Sequence, residues 1–235
     1  MCSIVGSFNK LKFLELMEQN EFRGSFSYSL TVIDPKSYVS GTVKDFGLFD
    51  PEILDKVPEG WYMLGHLQNP TGGLVHDVNR IHPAVRVFDE DYDYDFNHMD
   101  PGIISLKLLH NGIIKPATME MIEGHFEHTY KWDTEALLDF ITSYGSEDLE
   151  TPLSQIDGSF SCALLREGVD LLLFRNSVAP MFYDDHLTIS SIPFEDSTST
   201  RYNTIYHMDL LNVRLLPVNT FLNKHMPFYY GEDDE

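Results

Sequence analysis

The chain of 235 residues carries 37 acidic against 16 basic side chains, a formal net charge of −21, with 43% hydrophobic residues. That balance argues against a protein that grips nucleic-acid phosphates or an anionic lipid surface, while the apolar share supports a folded core rather than general disorder. The length suits one domain, expected over 1–230, with Gly231-Glu232-Asp233-Asp234-Glu235 as an acidic tail.

Lys12–Asn20 sets Phe13, Leu16 and Met17 on one helical face. Tyr28–Asp34, Tyr38–Lys44, Trp61–Leu67 and Ile103–Leu109 are rich in β-branched and aromatic residues and predict strands, with Asp34-Pro35 turning between the first two. Thr134–Tyr144 predicts a second helix, with Leu137, Phe140, Ile141 and Tyr144 on one face and Asp133 as its N-cap. Gly158–Leu165, Val169–Arg175, His186–Ser191 and Asn212–Leu216 predict further strands, the first two joined through Glu167-Gly168. Many strands and few helices predict an α+β domain of two packed sheets covered by helices.

Only Cys2 and Cys162 are present, and Cys162 lies in an apolar run that predicts a buried strand. Nothing suggests a disulfide framework, and a reducing cytoplasm suits the pattern. No basic segment followed by an apolar run opens the chain, and no apolar stretch approaches membrane-spanning length, so a cytoplasmic protein is expected. Asp89-Glu90-Asp91-Tyr92-Asp93-Tyr94-Asp95 starts like a calcium loop, but Phe96 stands where glycine is needed and Gly102 where glutamate is, so a solvated loop is expected. His125 and His128 have no third ligand at sensible spacing and are expected at the surface. No metal and no cofactor is expected.

Met1-Cys2-Ser3-Ile4-Val5-Gly6 carries the chemistry. Removal of one methionine makes a thiol the first residue, so nucleophile and potential base, its own α-amine, share one residue. Alone, Cys2 reads more readily as a buried small hydrophobe opening a strand. His110-Asn111-Gly112 ends the apolar run Ile103–Leu109 in a turn on this reading, where the Asn111 side-chain N–H and the Gly112 backbone N–H can converge on a developing oxyanion.

The motif order resembles the class II glutamine amidotransferase domain. Met1-Cys2-Ser3-Ile4-Val5-Gly6 resembles M-C-G-I-V-G, Phe22-Arg23-Gly24-Ser25-Phe26-Ser27 resembles Y-R-G-x-D-S, and Gly65-His66-Leu67-Gln68-Asn69-Pro70-Thr71-Gly72-Gly73 resembles G-H-x-R-x-A-T-x-G. Asn79 and His82-Pro83 echo N-A-H-P-H; Leu109-His110-Asn111-Gly112 is similar to V-H-N-G, Asp133-Thr134-Glu135 to D-T-E, and Ile156-Asp157-Gly158-Ser159-Phe160 to the L-x-G-x-F strand.

The resemblance implies the four-layer αββα sandwich of N-terminal nucleophile hydrolases, with two mainly antiparallel sheets. It implies that Cys2 attacks the glutamine side-chain amide to form a thioester, its α-amine acting as base through a water. Asn111 and Gly112 would form the oxyanion hole, and hydrolysis would release glutamate. Asp133 would pair with the substrate's α-ammonium or cap the helix, and Thr71 would sit near its α-carboxylate or stabilise a turn. His82 belongs to the implied substrate-binding set.

Several positions depart from the pattern. The G-H-x-R arginine is Gln68, which cannot make a bidentate charged contact to a carboxylate; Arg80 and Arg86 are the downstream substitutes. Ser3 replaces glycine beside the nucleophile, Phe26 an aspartate and Ala84 a histidine. Three readings stand: a glutaminase delivering ammonia to a separate synthase partner, a hydrolase of another γ-glutamyl amide, and a silent binding or scaffold module that keeps the fold.

Overall fold

Strands that are apolar on both faces have to be covered twice, and this requirement sets the architecture. The computed structural model describes residues 2–69, 76–87, 103–145 and 148–223. The chain opens with β1 (Ser3–Ser7), helix α1 (Lys10–Asn20), β2 (Ser27–Ile33), β3 (Ser40–Phe46) and β4 (Tyr62–Gln68). Next come β5 (Ala84–Val87), β6 (Ser105–Ile114) and the helices α2 (Pro116–Phe126), α3 (Asp133–Thr142) and α4 (Glu150–Gln155). The later strands are β7 (Gly158–Glu167), β8 (Asp170–Arg175), β9 (Phe182–Tyr183), β10 (Ile189–Ser190), β11 (Thr198–Ser199), β12 (Thr204–Asp209) and β13 (Arg214–Thr220).

They form a seven-stranded sheet, β11-β9-β10-β1-β4-β2-β3, and a six-stranded sheet, β13-β12-β8-β7-β6-β5. Neighbours pair antiparallel, as between β1 and β4, where Ile4 stands opposite His66, and between β6 and β7, where Asn111 stands opposite Ser161.

The alternation of side chains sorts the core into three parts. Ile4, Tyr62 and Leu64 of the first sheet meet Leu109, Ala163, Leu165, Leu171 and Leu173 of the second, so the sheets pack face to face. The opposite face of the first sheet, with Val5, Tyr28, Leu30, Met63 and Leu67, is covered by Phe13, Leu16 and Met17 of α1. The outer face of the second, with Leu106, Leu108, Phe160, Cys162, Leu164, Leu172 and Phe174, is covered by Ile122 of α2, Leu137, Phe140 and Ile141 of α3, and Leu153 of α4. Helix, sheet, sheet, helix is the expected four-layer αββα sandwich.

Local chemistry explains the element ends. Asn9 caps α1 by accepting from the backbone N–H groups of Leu11 and Lys12. Helix α1 seats closely on β4 because residue 65 is glycine: a Cβ there would lie 2.7 Å from Phe13 and 2.8 Å from the Met17 sulfur.

Three local expectations are corrected. His110-Asn111-Gly112 is not a turn but the interior of β6, which continues to Ile114 because β7 pairs with it along its whole length. Asp133 is the first residue of α3 rather than its cap; Trp132 holds the N-cap position without a side-chain hydrogen bond. His186–Ser191 contracts to the two-residue β10, since Asp184 draws the preceding residues into a turn by accepting from the His186 and Thr188 N–H groups. Cys162 is buried in β7, and His125 and His128 are exposed.

Candidate functional site

Cys2 directly precedes β1, so the central strand of the first sheet carries it at the sheet's end. Three attachments hold it there. The Arg23 Nε donates to the Cys2 carbonyl at 3.1 Å, while the Asn69 side chain accepts from the Ser25 N–H and donates to the Arg23 carbonyl. Buried Asn20, the last residue of α1, accepts from the Ser3 hydroxyl and donates from Nδ2 to Leu16 O (2.8 Å) and Ser190 Oγ (3.1 Å). Ser191, just past β10, exchanges backbone and side-chain bonds with Ile4, its N–H reaching Ile4 O at 3.0 Å and its Oγ receiving the Ile4 N–H at 2.9 Å.

Ser191 also joins the two sheets. Its hydroxyl accepts from Asn111 Nδ2 at 3.2 Å, which fixes the Asn111 amide two residues from Cys2. Gly112, next along β6, is required by packing: a Cβ there would lie 1.7 Å from the Ser159 carbonyl oxygen and 2.7 Å from His110 Nε2. Asp133 enters from the second helical layer, its Oδ2 accepting the Ile114 N–H at 3.3 Å at the end of the same strand.

Desolvation pushes the Cys2 thiol up to about 11; Asp133 adds to the rise, while the Asn69 backbone N–H and the Arg23 guanidinium oppose it. The thiol therefore stays protonated near neutrality and has to hand its proton to a base before it attacks anything.

Behind these residues lies a histidine network. His66 Nε2 donates to the His110 carbonyl at 3.0 Å, and the His66 and His82 rings stack with centroids 3.8 Å apart. His82 bridges Gln68 Oε1 at 3.1 Å and Thr134 Oγ1 at 3.0 Å. Burial lowers His66 to about 3 and holds His82 well below the usual imidazole range, so both are neutral.

Gln68 belongs to this network. It is 8% exposed, and its Nε2 donates to the Arg80 carbonyl at 3.0 Å while its Oε1 accepts from His82, so the amide is engaged at both ends. Arg86 is ion-paired with Asp139 of α3, and Arg80 Nε lies 3.8 Å from Asp77.

Asn111 is thus tied through Ser191 to Ile4, two residues along from Cys2; Gly112 follows it on β6, Asp133 meets the end of that strand, and His82 links Gln68 to Thr134 beside Asp133. Thr71 lies outside the described residues, as do Asp89–Asp95 and the acidic tail. Sequence reasoning missed Ser191, which ends a short apolar segment like many serines. It also passed over His66 and His110, although both stand inside quoted motifs. Arg23 carried a clear signal, as the only cation of the Phe22–Ser27 segment.

The fold is shared with solved enzymes. The glutamine phosphoribosylpyrophosphate amidotransferase from B. subtilis, complexed with ADP and GMP, superposes with a TM-score of 0.65 at 17% identity over 88% of this chain and 47% of that one. A structure described as the allosteric regulatory enzyme of purine biosynthesis gives a TM-score of 0.62 at 14% identity over the same shares. At these identities the likeness is one of fold, and the chain spans about half the length of the solved structures it matches. Neither a family model nor a curated protein sequence matches it. No helix among the described residues is long and apolar enough to cross a membrane.

Proposed function

We propose that this chain is an amidohydrolase of the glutamine amidotransferase type, with Cys2 as nucleophile once Met1 is removed. The observation that supports the reading is the tie from Asn111 through the Ser191 hydroxyl to Ile4, two residues along from Cys2, with Asp133 at the end of the strand that carries Asn111. The freed α-amine takes the thiol proton through a water, and the sulfur attacks the side-chain amide carbon of glutamine. The oxyanion is stabilised by Asn111 Nδ2 and the Gly112 N–H, each such donor contributing about 2.7–4 kcal/mol. Collapse expels ammonia, its nitrogen taking the proton, and leaves a thioester that water cleaves to glutamate and free thiol. Asp133 receives the substrate's α-ammonium, and Thr71 is the residue that the resemblance assigns to its α-carboxylate. The ammonia passes to a synthase partner, and a free catalytic thiol suits the reducing cytoplasm.

A specific observation favours a variant of this reading. Gln68, where the resemblance leads one to expect an arginine, is locked by His82 and the Arg80 carbonyl, which supports an altered substrate such as another γ-glutamyl amide. A non-catalytic module is the outcome if Met1 stays attached, because its acylation of the Cys2 nitrogen removes the base.

The test combines intact mass with turnover. Protein shown by mass to have lost Met1 is expected to release ammonia and glutamate from glutamine, and Cys2→Ala to lose that activity. Equal background rates for the two overturn the glutaminase reading, and faster turnover of a γ-glutamyl amide than of glutamine selects the variant.

A further inference from the structure

The polar network beneath the site contains a proton count that two neutral rings, His82 and His110, cannot meet. Gln68 Nε2 donates to the Arg80 carbonyl at 3.0 Å, which turns Gln68 Oε1 toward His82 Nδ1 at 3.1 Å and makes that nitrogen a donor. Neutral His82 then presents a lone pair at Nε2, which takes the only proton of the Thr134 hydroxyl at 3.0 Å. Thr134 Oγ1, its proton spent, faces His110 Nδ1 at 3.2 Å, so His110 Nδ1 must donate. The other nitrogen of the same ring, Nε2, lies 3.3 Å from the Ser159 carbonyl, which only accepts. Turning the Thr134 hydroxyl to Asp133 Oδ1, 3.4 Å away, or to His110 Nδ1 does not relieve the count, because His82 would then need two ring protons, and its burial holds that ring neutral.

We infer that His110 is a positioning residue that works as an imidazolium, donating from both ring nitrogens to clamp the Thr134 end of α3 to Ser159 of β7 and thereby hold Asn111 and Gly112 in place. Its effect on catalysis rests on the amidohydrolase reading; its protonation does not.

The surroundings support the cation. Asp133 Oδ2 lies 4.0 Å from His110 Nδ1 and supplies a counter-charge from α3. β7 contributes Cys162, opposite His110 and kept a neutral thiol by burial; β4 contributes neutral His66, and His82 faces Thr134 from the chain before β5. Lys44 on β3 acts on His66 and His82, and burial leaves it at about 8. The clamp reaches the site because His110 Nε2, the Ser159 oxygen and residue 112 crowd one spot, where only a glycine fits. Loss of the Nε2 proton would set two lone pairs against each other over Gly112.

The experiment reads the ring directly. Histidine-15N-labelled Cys2→Ala protein, which cannot turn over, is examined by long-range 1H–15N correlation at neutral pH. His110, assigned by the signals lost in His110→Gln or, if that variant does not fold, by those displaced in Thr134→Val, is expected to show two protonated nitrogens. Asp133→Asn is expected to lose one of them. A neutral His110 tautomer with one bare nitrogen overturns the inference, whatever the activity. In the Met1-processed enzyme, His110→Gln is expected to lower kcat for glutamine more than it changes KM, and to alter the shape of the pH profile. An unaltered profile assigns His110 a structural role only and overturns the positioning claim. Absence of any Cys2-dependent hydrolysis sinks the function while leaving the spectrum to decide the protonation.

Discussion

The Asn111 side chain donates across 3.2 Å to the Ser191 hydroxyl, so the strand that carries the candidate oxyanion donor is tied to the strand that carries the thiol. Ser191 also receives the Ile4 N–H, which makes one hydroxyl the meeting point of the two sheets. Asn111→Ala is expected to lower Cys2-dependent hydrolysis about 100- to 1000-fold with the fold retained, as the loss of one oxyanion donor does elsewhere. Ser191→Ala strands two buried donors and should cost about 1–3 kcal/mol. Turnover and denaturant midpoints check the two effects separately.

Gly112→Ala tests packing at the same place. The added methyl would meet the Ser159 carbonyl oxygen at 1.7 Å, a backbone atom of the partner strand that cannot step aside without opening the ladder. A loss of roughly 3 kcal/mol or more is expected, at the top of the range for overpacking. Thermal unfolding measures it; a melting temperature equal to that of the parent chain contradicts the strand geometry.

Acid should unfold the protein through its buried histidines. His66 is lowered to about 3, against an ordinary value near 6.5, so between those limits the unfolded chain binds the proton and the native one does not. Stability is therefore full above about 6.5 and falls as pH drops toward 3, with His82 acting in the same direction. His66→Gln is expected to flatten, though not abolish, the decline of melting temperature over that window. An unchanged slope argues against His66 as a source of the acid sensitivity.

Gln68→Arg does not simply supply the cation that the resemblance calls for. The guanidinium has no acceptor for the His82 Nδ1–H, and it would stand against a ring that burial keeps neutral. A cost of about 1–3 kcal/mol is expected from the stranded donor alone. Equilibrium unfolding checks the cost, and glutamine KM shows whether the new charge reaches the ligand.

The layered α+β fold was legible because β7 and β8 contain the apolar runs Cys162–Leu165 and Leu171–Phe174, and because Phe13, Leu16 and Met17 recur at helical spacing. Helix α2 was not, since only Thr118 and Ile122 of its eleven residues are buried and its apolar stripe is too thin to read. β12 escaped for a related reason: its sequence, Thr-Ile-Tyr-His-Met-Asp, mixes polar and apolar residues without clean alternation, and pairing with β8 and β13 makes it a strand. At the site, the residue types Cys2, Asn111, Gly112 and Asp133 stood out from the sequence. Their mutual placement through Ser191 and Ile114 depends on contacts 80 and 19 residues apart, which no local window contains.

Ser3 and Asn20 bear on how this chain can change. The serine beside the thiol, where the resemblance has a glycine, gives its hydroxyl to the Asn20 side chain, which in turn holds Ser190. A mutation that restores glycine at position 3 leaves a buried amide oxygen short of a donor, and one that removes Asn20 leaves a buried hydroxyl in the same difficulty. The two positions are consequently coupled in heredity: a viable route through sequence space changes them together, and an engineer transplanting the Cys2 terminus onto another scaffold has to carry the end of α1 with it.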